Sequence, residues 1–370
     1  MGGRGQLDAR RYGCDIGIPQ VSPHSVLATR ARETPTEKGL EMAKSYRTVH
    51  YGMGAIGAGI LRAAVAKEHV RPVAALDVAP DVVGRDAGEV AGLDRPLGIT
   101  ISQDADATLA TTAAEVVLHS TGSDLKRVHS QLLAAVRAGK NVISTCEELA
   151  YPWHRHPQLS AELDREAKEH GVTVLGTGVN PGFVMDTLAL ALTAVCQELS
   201  SITARRVVDV STRRIQLQRK VGAGLSLDEF RRRANEGRIR HVGLEESLRL
   251  IAYGLGWQLD RVEETVEPAL ASAGVASGVH QVARGWIGGR DVLHLDLEMS
   301  SGATDPRDEI VIEGKPPVSV VIRGGVQGDI ATAAITVNAV PAVASARPGL
   351  LTMAELPLVC GFDIPPPSRG

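Results

Sequence analysis

The stretch "HYGMGAIGAGILRAA", His50–Ala64, decides the fold. It sets Gly52, Gly54, Gly57 and Gly59 between an apolar run, "RTVHY", and a helical pattern, "AGILRAAVAKEH". Gly52, Gly54 and Gly57 satisfy G-x-G-x-x-G in the order strand, turn, helix. In that order the first glycine permits a tight turn, the second lets a pyrophosphate approach the backbone, and the third lets the helix pack closely on the strand. Met53, Ala55 and Ile56 would carry the backbone between them, and the helix N-terminus would offer free N–H groups to the phosphates. Gly/Ala-rich chains also produce the pattern by chance, so a second signal is needed.

Asp77 supplies it, ending the next apolar run, "VRPVAALDV", 25 residues beyond Gly52. An acid at about that distance accepts hydrogen bonds from an adenosine ribose and repels a 2′-phosphate. The expected cofactor is therefore NAD or NADP, with the acid favouring NAD and Arg85, eight residues on, able to hold a phosphate instead. A turn cap before Pro80 is the plain structural alternative for Asp77.

The 370 residues are enough for a sizeable core and two domains. A formal net charge of −3, with both signs scattered, argues against a nucleic-acid surface. No apolar run is long enough to span a bilayer. Cys14, Cys146, Cys196 and Cys360 show no metal-ligand spacing, which points to a reduced, cytoplasmic protein without bound metal. Residues 1–45 lack sustained periodicity and read as a disordered leader or tail, with Met42 a candidate start.

From Tyr46, strand and helix patterns alternate through "EVVLHSTG", "DLKRVHSQLLAAVRAGK", "NVIST", "PQLSAELDREAKEHG" and "VTVLGTG". Buried Val/Ile-rich strands alternating with helices mean a parallel sheet covered on both faces. After "VNPGFVMDTLALALTAV" the pattern changes to consecutive strands with period-two alternation, such as "DVLHLDLEMS" and "VSVVIRG". The fold class expected is α/β: an N-terminal Rossmann-type parallel sheet with a second α+β domain on a mostly antiparallel sheet. The boundaries expected are 46–180 for dinucleotide binding, 181–345 for substrate binding and dimerisation, and 346–370 as a segment returning toward the first domain. "GDIATAAITVNAVPAVASA" reads as one long helix.

Ligands of open parallel sheets lie beyond the carboxyl ends of the strands. Three such ends should border the reactive ring: Ser120, Thr121 and Gly122; the "STCEE" segment; and "GTGVNPGF". Asn180 either bonds cofactor or substrate there or is ordinary turn chemistry before Pro181. Adjacent side chains diverge, so one of Glu147 and Glu148 should face the cleft. A partly desolvated carboxylate there can exchange protons near neutrality, which amine oxidation requires. The alternatives are a solvated pair, or a pair favouring the next helix N-terminus.

Taken together, "STCEELAYPW", "GTGVNPGFVMDTL", "LQRKVGAGLSLDEF", "HVGLEESLRLIAYGLGW" and "GGVQGDIATAAITVNAVPAVASARPGLLTM" resemble the 2,4-diaminopentanoate dehydrogenase family and the related native amine dehydrogenases. The similarity runs from about Tyr46 to about Leu356. It implies a dihydrodipicolinate-reductase-like architecture, a homodimer, and NAD(P)-dependent oxidative deamination. The substrate implied is 2,4-diaminopentanoate, giving 2-amino-4-oxopentanoate, or in reverse a small ketone and ammonia. It also implies a catalytic glutamate within Cys146-Glu147-Glu148; Glu148 is the first choice and Glu147 the second. The His-His-x-x-Lys helix of true dihydrodipicolinate reductases is absent, which disfavours that activity.

In the second domain, Arg214, Gln218 or Lys220 can meet a substrate carboxylate or form a solvated basic face. His241, Trp257 and His280 are pocket or core residues, and Asp305, Arg307 and Asp308 read as a turn ion cluster. The rivals are a carbonyl reductase of similar fold and a dinucleotide-sensing regulator without chemistry.

Overall fold

The computed structural model describes residues 45–211, 215–270 and 274–362. The leader expected over 1–45 lies outside these residues apart from Ser45, as do Arg214 and the last eight residues of the returning segment.

In chain order the first half runs β1 (Tyr46–Tyr51), α1 (Ala55–Val65), β2 (Val70–Leu76), α2 (Ala87–Val90), β3 (Ile101–Ser102), α3 (Ala105–Thr111), β4 (Val116–His119), α4 (Leu125–Arg137), β5 (Asn141–Ser144), a 3-10 turn (Glu147–Ala150), α5 (Pro157–Glu169) and β6 (Thr173–Gly176). The second half runs α6 (Thr187–Thr193), β7 (Glu198–Asp209), α7 (Ile215–Lys220), α8 (Leu227–Asn235), α9 (Leu244–Leu255), β8 (Arg261–Leu270), β9 (Ala276–Ile287), β10 (Arg290–Ser300), β11 (Arg307–Lys315), β12 (Val318–Arg323), α10 (Gly328–Asn338), α11 (Val340–Ser345) and β13 (Gly349–Leu351).

The first sheet has seven strands in the order β13-β6-β5-β4-β1-β2-β3, and every pairing in it is parallel. β4 and β6 are buried at every position, as strands covered on both faces must be. α4 covers one face with Leu125, Val128, Leu132, Leu133 and Val136 at helical spacing, and Asp124 caps its start by accepting the Lys126 N–H at 2.9 Å. Strand order reverses between β1 and β4. The crevice above their carboxyl ends is the usual ligand seat of such a sheet.

The second sheet has six strands in the order β12-β11-β7-β10-β9-β8, antiparallel except for β7 with β10. Leu293, Leu295 and Leu297 of β10 enter the core shared with Phe230 of α8 and Leu248 and Ile251 of α9. His294, Asp296 and Glu298 alternate to the other face. Pro268 is accommodated because β8 is an edge strand.

The long helix expected over "GDIATAAITVNAVPAVASA" is instead two helices, α10 and α11, broken at Ala339. Pro341 explains the break: it has no N–H to donate, and its ring would clash with the Val337 carbonyl of a continuing helix. α10 packs on α1, burying Ala333 and Val337 with Ile60 and Ala64, and α11 leads into β13 beside β6. No helix among the described residues is long and apolar enough to cross a membrane.

Candidate active site

The glycine turn is built as a close approach. Gly52 has φ +101°, and a Cβ there would lie 2.8 Å from the Ser120 carbonyl oxygen. A Cβ on Gly57 would land on the Gly52 carbonyl oxygen, so helix and strand touch backbone to backbone. Gly54 differs: nothing lies within 4 Å of the Cβ it lacks. Met53 is buried, and its N–H donates to Asp77 Oδ2 at 2.5 Å. Asp77 Oδ1 accepts the N–H groups of Val78 and Ala79 at 2.7 and 2.8 Å, so this acid fixes the glycine turn to the end of β2. Arg85 is exposed and donates to the Asp81 carbonyl at 3.3 Å. Ala55 is exposed at the start of α1.

A cleft of about 390 Å³ opens where the tips of β4, β5 and β6 face β7 and β10. Ile56, Ser120, Thr121, Gly122, Glu147 and Asn180 line it, all expected from the sequence. Ser120 Oγ donates to the Gly52 carbonyl at 3.2 Å, so the cleft begins beside the glycine turn.

The two glutamates diverge. Glu147 lines the cleft, its side chain 23 % exposed, with Oε1 3.9 Å from Lys220 Nζ. Glu148, the first choice from sequence, points into the protein instead. Its Oε2 accepts the Leu125 N–H at 2.9 Å and lies 2.7 Å from His156 Nε2, while Arg240 Nη2 stands 3.8 Å from Oε1. The cause is local: both residues sit in the first turn of a 3-10 helix, where successive side chains rotate by a third of a turn.

Asn180 is buried, joined to Pro181 by a cis peptide bond, and its Nδ2 donates to His241 Nε2 at 3.2 Å. Burial, then the nearby Lys220 and Arg206 cations, push His241 down to about 3, so its ring is neutral. Gln281 clamps the His241 backbone, accepting its N–H at 2.8 Å and donating to its carbonyl at 2.9 Å. Arg206 of β7 lines the cleft with its guanidinium held by Asp308 at 2.8 Å and the Val326 carbonyl at 2.7 Å.

Of the other second-domain candidates, Lys220 and His241 reach the cleft, whereas Gln218 donates to the Ser211 carbonyl at 3.2 Å. Trp257 lines a separate surface groove beside Tyr151 and Trp153, and His280 faces Asp296 at 2.9 Å on the far side of the second sheet. Asp305 and Arg307 do pair, at 3.0 Å, whereas Asp308 holds Arg206.

Thr145 and Thr177, from the two strand-end segments expected there, also line the cleft, whereas the sequence reading missed Leu297, Met299 and Asp329. Leu297 and Met299 were legible in principle as the inward set of β10. Gly243 was missed too: a Cβ there would strike the Pro181 ring and lie 3.3 Å from Glu147 Cβ. A glycine directly before a helical run was the available signal, and its φ of +108° shows why glycine stands there.

A family model, 2,4-diaminopentanoate dehydrogenase C-terminal domain, matches residues 183–363. The chain is 33 % identical over 339 residues to 2,4-diaminopentanoate dehydrogenase of Acetoanaerobium sticklandii, covering 84 % of this chain and 93 % of that protein. The solved amine dehydrogenase of Mycobacterium smegmatis superposes with a TM-score of 0.78 at 26 % identity, covering 86 % of this chain and 98 % of that one. The scyllo-inositol dehydrogenase of Lactobacillus casei, solved with NAD(H) and scyllo-inositol, shares the fold at a TM-score of 0.54 and 15 % identity, over 80 % and 89 % of the two chains. A Rossmann-type sheet facing a second sheet across an acid-bearing cleft, with relatives of this kind, defines an oxidoreductase. The chain belongs to the 2,4-diaminopentanoate dehydrogenase family.

Proposed function

We propose that this protein is a nicotinamide-dinucleotide-dependent amine dehydrogenase in which Glu147 is the general base. One observation carries the reading: of the two adjacent glutamates, Glu147 alone lines the cleft between the strand tips and the second sheet.

The glycine turn suits a dinucleotide. Gly54 faces open space, and α1 begins with no side-chain cap and no acid in its first turn. The N–H groups of Ala55, Ile56 and Gly57 are therefore available to a pyrophosphate. Asp77 would accept from the ribose hydroxyls, and its charge favours NAD over NADP. Ser120, Thr121 and Gly122, at the tip of β4, would border the nicotinamide. When bound, a nicotinamide would take up the hydride from the carbon that carries the amine.

The chain's own residues do the rest. An ammonium must lose a proton before its carbon can release hydride, and Glu147 accepts that proton. Glu147 releases that proton to solvent, takes another from the water that attacks the resulting C=N carbon, and returns it to the nitrogen, which leaves as ammonia when the carbonyl forms. Asn180 and the neutral His241 wall the cleft on the side of the second domain. Lys220 sets a cation 3.9 Å from the base, which suits an amine that also carries a carboxylate. The substrate favoured is therefore 2,4-diaminopentanoate, yielding 2-amino-4-oxopentanoate, ahead of a simple ketone and ammonia. Thiols at Cys146, Cys196 and Cys360 that are free of disulfides suit the cytoplasm.

The test is consumption of NADH or NADPH by purified protein with a small ketone, with and without ammonium, and NAD⁺ reduction with diaminopentanoate. Turnover that needs ammonium, or that oxidises the diamine, supports the reading. Ketone reduction without ammonium would make the protein a carbonyl reductase, and cofactor binding with no turnover would make it a sensor.

A further inference from the structure

His119, at the tip of β4, is fully buried, and both its ring nitrogens are engaged. Nε2 lies 2.9 Å from Gln131 Oε1 on α4, and Nδ1 lies 2.8 Å from Ser144 Oγ on β5. An amide oxygen only accepts, so Nε2 carries the hydrogen. Burial pushes the group down to about 4, which keeps the ring neutral and leaves Nδ1 bare. The Ser144 hydroxyl must therefore donate to Nδ1, and its own oxygen accepts the Cys146 N–H at 3.1 Å. Cys146 is the residue from which the 3-10 turn starts, and Glu147 follows it. The same imidazole edge meets Thr121 Oγ1 at 2.9 Å, and Thr121 donates to Gln131 Oε1 at 2.5 Å. Tyr51 packs edge-on against the ring, with centroids 5.5 Å apart.

Every bond in this chain points one way, from the Cys146 N–H through Ser144 and His119 to Gln131. No member can reverse without stranding a buried partner, and a stranded group costs more than an ordinary hydrogen bond contributes. The backbone around Glu147 is tied further: the Thr145 N–H donates to the His119 carbonyl at 2.9 Å, and Cys146 Sγ donates to the Ser123 carbonyl at 3.2 Å.

We propose that His119 is a positioning residue of this site: one arm, through Ser144 and Cys146, aims Glu147, and the other, through Thr121, shapes the wall where the nicotinamide would lie. The inference rests on the reading of Glu147 as base. It assigns the strand-end histidine a role in catalysis, acting through its neighbours and never touching substrate.

Two replacements separate the arms. In His119→Asn the amide oxygen stands near the Nδ1 position and can still accept from Ser144, but the reach to Gln131 and Thr121 is lost. In His119→Gln the longer side chain reaches toward Gln131 but leaves Ser144 without its acceptor. We expect His119→Gln and Ser144→Ala each to lower kcat roughly ten- to a hundredfold, the scale of a small misplacement of a reacting group. Their cofactor Kd should stay near wild type, and any fall in Tm should leave the protein folded at the assay temperature, so that the loss appears in kcat per folded molecule. The double variant should be no worse than either single one, because both cut the same chain. His119→Asn should keep most of kcat and bind cofactor more weakly. A merely structural histidine would give all three variants the same fall in Tm with activity following it, and that result overturns the proposal. So does wild-type kcat in Ser144→Ala, which removes one oxygen and tests the arm even if the His119 variants fail to fold. Glu147→Gln in the same series separates the two failures. If it is inactive while Ser144→Ala is not, only the His119 inference falls; if it is active, the base assignment and this inference fall together.

Discussion

Glu147 and Glu148 share a sequence, a charge and a turn, yet burial gives them opposite work. Glu148 has its carboxylate satisfied by a backbone N–H and by the buried His156, with the half-buried Arg240 beside it. Removing it strands those partners, and breaking a buried pair costs about 3–5 kcal/mol. Glu148→Ala should therefore lower the unfolding midpoint by several degrees while the cleft chemistry of the surviving folded protein persists at low temperature. Glu147→Gln should do the reverse, keeping Tm within a degree or two while deamination falls roughly a hundredfold or more. Thermal melts and turnover measured on both variants check this; loss of activity in Glu148→Ala without loss of stability would return the catalytic role to Glu148. The sequence could show that one member of the pair faces inward to the cleft. It could not show which, because that depends on whether the turn after β5 is extended or 3-10.

At the scale of elements, the glycine turn and α1 were legible because their glycines obey steric rules that act over a few residues. The structure divides those rules: Gly57 is demanded by the Gly52 carbonyl, whereas at Gly54 the protein itself leaves room. Gly57→Ala should consequently fail to fold normally. Gly54→Ala, at a φ of −66° that any residue adopts, should melt like wild type and yet bind NADH at least roughly tenfold more weakly, the added methyl occupying the phosphate's place. Fluorescence titration with NADH checks it, and unchanged affinity in Gly54→Ala would remove the phosphate from this turn. What resisted reading were elements set by distant partners. α7 brings Lys220 to Glu147 across 73 residues of sequence, and Gly243 closes on Pro181 across 62. No local period records such meetings. α7 also carries its own prediction. If Lys220 receives a substrate carboxylate, Lys220→Met should lower kcat/KM for 2,4-diaminopentanoate roughly ten- to a hundredfold and leave a simple aliphatic amine nearly untouched. Equal losses on both substrates would assign Lys220 to Glu147 alone.

The molecule as a whole presents one surface that its own described elements do not cover. α8 and α9 pack on a single face of the second sheet, and the cleft opens on that same face through Arg206, Val208, Leu297 and Met299. The opposite face carries Arg205, His280, Val282, Asp296, Glu309 and Val321, half-buried at the centre and exposed on the edge strands β8 and β12. Its charges are already ordered: Arg205 lies 3.2 Å from Asp296 and 3.9 Å from Glu309, and His280 lies 2.9 Å from Asp296. An ordered mixed face on a sheet open to one side suits a second copy related by a twofold axis, since each patch then meets itself with acids and bases interleaved. We therefore expect a homodimer whose two clefts point away from the shared interface, so that assembly stiffens the sheet without obstructing substrate entry. Light scattering on eluting protein should return twice the chain mass at micromolar concentration. Val282 sits near the middle of this face, opposite Asp296 of β10 and Thr265 of β8. Val282→Arg would bring two like charges together across the axis, and it should shift the protein toward monomer, increasingly so at low salt, where repulsion is least screened. A single-chain mass for the wild type at every concentration, or a Val282→Arg variant that stays dimeric at low salt, would show that the open face of this sheet is not where the copies meet.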